Sequence, residues 1–85
     1  MIFLGEKKVM AVRLAFILIR AQGGAELEIM EQLKSFHQVT QSYMIYGEWD
    51  IIAVAEYQKL PELNTLVLQI RDVPGVQQTS TLVVS

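Results

Sequence analysis

The sequence predicts a small α+β domain whose elements run β-α-β-β-α-β along the chain. Two continuous apolar runs, at 14–19 and 51–55, are typical of strands in the middle of a sheet. Two other stretches carry apolar residues at helical spacing, and each of them separates two strand-like runs. The length of 85 residues suits one domain.

The first half of the chain predicts a strand, a turn and a helix. The strand is the run Leu14–Ile19, and Gln22-Gly23-Gly24 ends it as a connecting turn rather than as an anion-binding loop. A helix is expected from Ala25, with glutamates crowding its first turns, where the helix dipole favours negative charge. Its expected apolar stripe comprises Leu27, Met30, Leu33 and Phe36, widened by Ile29.

A hairpin follows the first helix. The run Val39–Tyr46 alternates only partly, with Val39, Gln41, Tyr43 and Ile45 expected on one face, so it suits an exposed or edge strand. The turn Gly47–Asp50 then reverses the chain into the buried run Ile51–Tyr57.

A second helix and a last strand complete the order. Pro61 is favourable in the first turn of a helix that begins at Leu60 and ends near Arg71-Asp72, before Pro74-Gly75. Its apolar stripe comprises Leu63, Leu66, Val67 and Ile70. The final strand is expected over Val76–Val84.

Right-handed crossovers place both helices on one face of a four-stranded antiparallel sheet with the first and third strands central, which is the ferredoxin-like arrangement. The other face has no helix to cover it. Because 52% of the residues are hydrophobic and 19% are charged, we expect the sheet of a second subunit to cover this face in an obligate homo-oligomer. The predicted domain spans 13–85, preceded by an N-terminal extension or arm at 1–12.

Composition argues against several classes of function. The net charge of −2 and the dispersed lysines and arginines provide no basic face for direct binding of nucleic acid. Without cysteine there is no disulfide, thiolate nucleophile or cysteine-based zinc site. The longest apolar run is far shorter than the ~20 residues that a membrane span needs. No catalytic constellation, metal-ligand cluster or cofactor motif is present, and His37 is expected to cap a helix.

The turn Tyr46–Asp50 is the strongest candidate for a functional feature. Gly47 lets the backbone adopt a positive φ, and Asp50 places a carboxylate at the mouth of a buried strand. The alternative interpretation is a hairpin turn with a side-chain-to-backbone cap. Trp49 suits an anchor at a subunit interface better than a direct ligand contact.

Gly47-x-Trp49-Asp50 followed by an apolar strand resembles the glycine–x–aromatic–aspartate turn of the Lrp/AsnC ligand-binding domain, also called the RAM domain. The first strand, the segment 72–76 and Thr79-Ser80-Thr81 are also similar to that family, so the resemblance covers roughly Arg13 to Val84. It implies dimers built by packing sheets face to face and rings of eight or ten subunits. It also implies an amino-acid effector bound between dimers, near the glycine turn.

The residues of the turn suit the two charged groups of a free amino acid: Asp50 can pair with the ammonium, and backbone N–H groups freed by the Gly47 turn can hold the carboxylate. The expected ligand-binding residues are Gly47, Glu48, Trp49, Asp50, Tyr43, Thr79, Ser80 and Thr81. The three consecutive hydroxyl residues suit polar parts of a ligand, although β-branched residues also favour an ordinary strand surface.

Full-length members of this family carry a helix-turn-helix domain ahead of the RAM domain, whereas only about a dozen residues precede it here. We therefore expect a stand-alone form: a cytoplasmic, non-enzymatic module that binds an amino acid and oligomerises. It would regulate transcription or amino-acid metabolism through a protein partner, such as a full-length Lrp/AsnC regulator. The alternatives are a purely structural assembly module and, with less support from the apolar core runs, a small dimeric ferredoxin-like monooxygenase.

Overall fold

The computed structural model describes residues 12–85. The elements are β1 (Arg13–Ala21), α1 (Glu26–Leu33), β2 (Val39–Met44), β3 (Ile51–Tyr57), α2 (Leu60–Arg71) and β4 (Val76–Val83). All pairings are antiparallel and the strand order is β2-β3-β1-β4, so β1 and β3 are central. The predicted ferredoxin-like fold is therefore confirmed. The extension predicted at 1–12 lies outside the described residues, except for Val12.

The hydrophobic core lies between one face of the sheet and the two helices. Alternate residues of the central strands supply the sheet side, since successive side chains of a strand point to opposite faces. Fully buried residues of β1 and β3 are Ala15, Ile17, Ile19, Ile51, Ala53 and Ala55. The helices contribute Ile29, Leu33, Leu63, Leu66 and Ile70. Each large side chain buried in this way contributes about 1.5–3 kcal/mol.

The second helix begins and ends as the sequence predicts. Pro61 occupies its first turn, and the carboxylate of Glu62 accepts the backbone N–H groups of Gln58 at 3.1 Å and Lys59 at 3.3 Å. These hydrogen bonds hold the pKa of Glu62 below its ordinary value. The carboxylate of Glu62 thus stabilises the N-terminal end of α2, as the glutamate half of a capping box does, while Lys59 contributes no side-chain cap.

The predicted stripe of the first helix is partly wrong. Leu27 is 73% exposed, whereas Ile29 is fully buried together with Leu33. The helix ends at Leu33, so Phe36 packs on the core from the following loop rather than from the helix. Contact with the sheet therefore selects a face of α1 that differs from the one the spacing predicted.

A bulge in β2 also corrects the predicted faces. Val39 pairs with Ala55, while Gln41 pairs with Val54, and the register shifts between them. Because a bulge inserts an extra residue, Val39 lies on the core side and Gln41 on the opposite side. The strand ends at Met44, two residues before the predicted end.

The other face of the sheet, here called the open face, carries an apolar centre. It is formed by Leu14, Phe16, Leu18, Ile52 and Val54, flanked by Tyr43 and Leu82. No helix within residues 12–85 packs on it, and four of the five central side chains are only half-buried. No helix in the described part of the chain is long and apolar enough to cross a membrane.

Candidate functional site

The loop between β2 and β3 combines a special backbone conformation with exposed polar groups. Gly47 has φ +119°, and a Cβ at that position would meet nothing within 4 Å. The glycine is therefore required by the backbone conformation and not by a lack of space. Tyr46 and Glu48 are exposed, while Trp49 is half-buried.

Asp50 joins the end of β1 to the start of β3. Its Oδ2 accepts the backbone N–H of Ala21 at 2.7 Å. Its own N–H donates to the carbonyl oxygen of Ile19 at 2.9 Å, and its carbonyl oxygen accepts the N–H of Ile45, also at 2.9 Å. This is the geometry of a side-chain-to-backbone cap whose partner lies on a neighbouring strand. Oδ1 makes no hydrogen bond with any residue of the described range.

Arg20 is a residue of this site that the sequence interpretation missed. Its guanidinium carbon lies 5.1 Å from the centroid of the Trp49 ring, within the range of a cation–π interaction. The side chain is half-buried, and its Nε is buried without a partner among residues 12–85. A signal was present in the sequence: Arg20 is a charged residue that directly follows the apolar run Leu14–Ile19.

The three hydroxyl residues of β4 are distributed over both faces of the sheet. Thr79 pairs with Ile19 and Thr81 with Ile17, so both side chains lie on the side of the helices. Ser80 pairs with Leu18 and lies on the open face. All three residues are half-buried.

The register shows which predicted residues one protomer brings together. Thr79 lies in the same row as Ile19 and Ile51, roughly 10 Å from β3 at two strand spacings, and thus at the same end of the sheet as Asp50. Tyr43 and Ser80 also share a row, but at opposite edges, about 14 Å apart at three strand spacings. A single protomer therefore does not bring the predicted set into one pocket.

The cavities within residues 12–85 agree with this separation. A polar cavity of about 490 Å³ at the start of β4 includes Thr79 and Arg71, and an apolar groove of about 420 Å³ between α2 and β4 includes Thr81. Neither cavity is lined by a residue of the loop Gly47–Asp50. In the described part of the chain, no three His, Cys, Asp or Glu residues are grouped to hold a metal ion.

Residues 14–85 match the model of the Lrp/AsnC ligand binding domain. The chain belongs to the Lrp/AsnC family. The match assigns it to a regulatory, ligand-binding class of domain and confirms the resemblance carried by the Gly47–Asp50 turn.

Sequence relatives of this Lrp/AsnC chain are transcriptional regulators. The HTH-type transcriptional regulator FL11 of Pyrococcus abyssi is 31% identical over 71 residues, which cover 84% of this chain and 47% of the relative. An uncharacterised HTH-type transcriptional regulator of Pyrococcus horikoshii is 36% identical over 70 residues, which cover 82% of this chain and 47% of the relative. The chain thus spans about half the length of the curated relatives it matches.

Solved structures share the fold of the Lrp/AsnC chain. FFRP-DM1 superposes with a TM-score of 0.81 and 36% identity, covering 86% of this chain and 99% of that one. TTHA0845 of Thermus thermophilus superposes with a TM-score of 0.82 and 31% identity, and the match covers 86% of this chain and 92% of that one. The regulator NMB0573 of Neisseria meningitidis, solved in complex with L-Met, superposes with a TM-score of 0.79 at 20% identity. The match covers 86% of this chain and 49% of that one, and at this identity it shows a likeness of fold alone.

Proposed function

We propose that this protein is an amino-acid-binding and oligomerisation module of the Lrp/AsnC type that acts on transcription or amino-acid metabolism through a protein partner. The observation that supports the proposal is the set of unused polar groups in the loop Gly47–Asp50, here called the half-site, at the end of the sheet where β3 begins. There the loop Gly47–Asp50 presents a carboxylate oxygen and backbone N–H groups that no other described residue uses.

Asp50 supplies the recognition of an ammonium group in this proposal. Its Oδ2 is fixed by the N–H of Ala21 at 2.7 Å, so the carboxylate is held in one orientation, and Oδ1 has no hydrogen-bond partner among residues 12–85. A charge-assisted hydrogen bond from an ammonium to such a preorganised oxygen is roughly twice as strong as one between neutral groups.

Backbone N–H groups supply the recognition of the carboxylate. Those of Gly47, Glu48 and Trp49 donate to no backbone carbonyl within residues 12–85. The positive φ of Gly47 turns this part of the chain into a conformation in which successive N–H groups can converge on an anion. The loop therefore carries complements for both charged ends of a free amino acid.

A second subunit completes the site in this proposal. The open face provides the dimer contact, since no helix of residues 12–85 covers its apolar centre and a sheet of the same kind matches it in shape. Tyr43, Thr79, Ser80 and Thr81 would then contribute from neighbouring subunits, because one protomer does not bring them into one pocket with the loop Gly47–Asp50. An effector bound between dimers stabilises the assembly by its preference for the assembled state.

Regulation would proceed through protein contacts. The net charge of −2 supplies no basic surface of the kind that phosphate backbones require. A full-length regulator of the same family, carrying the same sheet surface, is the partner whose chemistry fits best. The proposed place of action is the cytoplasm.

The test is calorimetric titration with each of the twenty amino acids, combined with sedimentation velocity with and without the ligand that binds. We expect heat from one chemical class of amino acid and a change in the distribution between dimers and larger assemblies. Absence of heat for all twenty would contradict the effector-binding half of the proposal.

A purely structural assembly module is the second candidate. The observation that favours it is the hydrogen bond from Ala21 to Asp50, which gives the carboxylate a role without any ligand. This candidate expects the same large assembly with and without amino acids, together with no heat on titration.

A further inference from the structure

We propose that Arg20 is a ligand-binding residue and that its guanidinium, which lies over the ring of Trp49, binds a carboxylate of the effector. The inference rests on the proposed function, in which the loop Gly47–Asp50 binds an amino acid. It adds a side chain that binds an anionic group of that ligand beside the backbone N–H groups of the loop.

Arg20 lies beside the half-site. It precedes Ala21, whose N–H is held by the carboxylate of Asp50, and it faces the ring of Trp49 at 5.1 Å. Trp49 in turn directly precedes Asp50 in the loop. The cation, the aromatic ring and the carboxylate therefore occupy one corner of the sheet, where β1 ends and β3 begins.

The guanidinium at this corner has no anionic partner in the described part of the chain. The ion pair seen within residues 12–85 joins Lys34 to Glu31, both exposed and at 3.4 Å, and does not involve Arg20. Across the sheet, the residue of β4 that pairs with Arg20 is the neutral Gln78. A buried Nε that lacks a hydrogen-bond acceptor is unfavourable, and it leaves this guanidinium with hydrogen-bonding capacity that no residue of the range 12–85 uses.

The cation–π contact with Trp49 also places the cation beside the loop. A guanidinium is planar, and N–H groups of its fork that point away from the ring can bind a carboxylate through two parallel hydrogen bonds. Lysine in the same place would supply charge but not this planar fork. Arg20 thus has the properties of a carboxylate receptor and not only of a solubilising surface charge.

Two carboxylates could be the partner of Arg20. One is the α-carboxylate, which every amino acid has, and the other is the side-chain carboxylate of aspartate or glutamate. The chemistry of recognition is the same in both cases, and comparison of glutamate with its neutral isostere glutamine separates them.

The experiment is titration of the whole protein with glutamate, glutamine and the amino acid that gives the largest heat. Trp49 is the only tryptophan, so its fluorescence reports directly on the site. We expect Arg20→Met to lower affinity at least tenfold and to abolish the change in emission on binding. Arg20→Lys should recover affinity only in part. Arg13→Met, an exposed arginine at the other end of the same strand, is the matched control and should leave affinity unchanged.

The set of ligands whose affinity falls in Arg20→Met identifies the carboxylate that Arg20 binds. Equal loss for all ligands that bind identifies the α-carboxylate, and loss for glutamate alone identifies the side-chain carboxylate. Unchanged affinity in Arg20→Met, with binding intact in the wild type, would overturn the inference while leaving the proposed function standing. A weakened dimer with unchanged ligand affinity would also overturn it, because it would give the role to a carboxylate of a second copy. Absence of binding in the wild type would refute both proposals.

Discussion

Asp50 has two separable roles in this protein, one in the fold and one in the proposed site, and two substitutions distinguish them. Asp50→Ala removes the acceptor for the N–H of Ala21 together with the charge. Asp50→Asn removes the charge but keeps an oxygen that can accept the same N–H. We expect the first variant to lose both stability and ligand binding, and the second to lose mainly ligand binding.

The magnitudes follow from the geometry. Ala21 is 8% exposed, so its N–H would remain largely without a partner in Asp50→Ala. An unsatisfied buried donor costs about 1–3 kcal/mol. In Asp50→Asn a neutral hydrogen bond replaces a charge-assisted one, which costs about 1 kcal/mol. A domain of 85 residues has a stability of roughly 4–13 kcal/mol, so both variants should remain folded.

Urea unfolding and calorimetry measure the two roles independently. With a slope of about 1–2 kcal/mol/M, the midpoint of Asp50→Ala should fall by about 0.5–3 M, and that of Asp50→Asn by about 0.5–1 M. The affinity of Asp50→Asn for the amino acid should fall at least tenfold. Asp72→Asn, which changes an exposed carboxylate at the end of α2, controls for the loss of one charge.

Two results would refute this reasoning. An Asp50→Ala variant with the midpoint of the wild type would mean that the hydrogen bond to Ala21 does not stabilise the fold. Unchanged affinity in Asp50→Asn would limit Asp50 to a structural role, as the hairpin-cap interpretation holds.

Three further predictions concern the rest of the fold. Leu18→Glu should convert dimers to monomers in sedimentation experiments, because it places a charge on the open face. Leu68→Glu, on the exposed side of α2, is the control and should leave the dimer intact. Dimers in both variants would show that the open face is not the interface. Gly75→Ala should lower the free energy of unfolding by about 2–4 kcal/mol, because φ is +95° and a Cβ would lie 2.7 Å from a neighbouring side chain; Gly23→Ala, where space is open, should cost less than about 1 kcal/mol, and equal losses would contradict the argument. Glu62→Gln should lower the urea midpoint above pH 4.5. Because the folded-state pKa is lowered, the stability due to Glu62 is present above its unfolded pKa and is lost as the pH falls through the folded-state pKa. The difference in urea midpoint between the wild type and Glu62→Gln should therefore shrink on acidification. A difference in urea midpoint that grows on acidification would contradict this role of the Glu62 carboxylate.

The core strands and the second helix could be predicted because their signals are local. A continuous apolar run needs no knowledge of its neighbours to indicate a central strand, and Pro61 with Glu62 marks the start of α2 by chemistry within one turn. The face of α1 could not be predicted in the same way. Leu27 and Ile29 are both apolar, and an eight-residue helix is too short for its pattern to define one phase.

The bulge in β2 depended on the partner strand. Nothing in the residues 39–41 indicates that one of them will be left out of the pairing with β3. Strand register is set across the sheet, and the faces of Val39 and Gln41 follow from it.

The candidate site shows the same division between local and long-range information. The sequence by itself determined the fold class, the family and the loop Gly47–Asp50, because each depends on residues close together in the chain. Only the tertiary structure decided that Asp50 binds the N–H of Ala21 and that the guanidinium of Arg20 lies over the ring of Trp49, since each pair is separated by 29 residues. It also decided that the hydroxyl residues of β4 lie on both faces of the sheet. These contacts arise from antiparallel pairing, which brings distant residues together at one end of the sheet, and no local pattern specifies which residues will meet there.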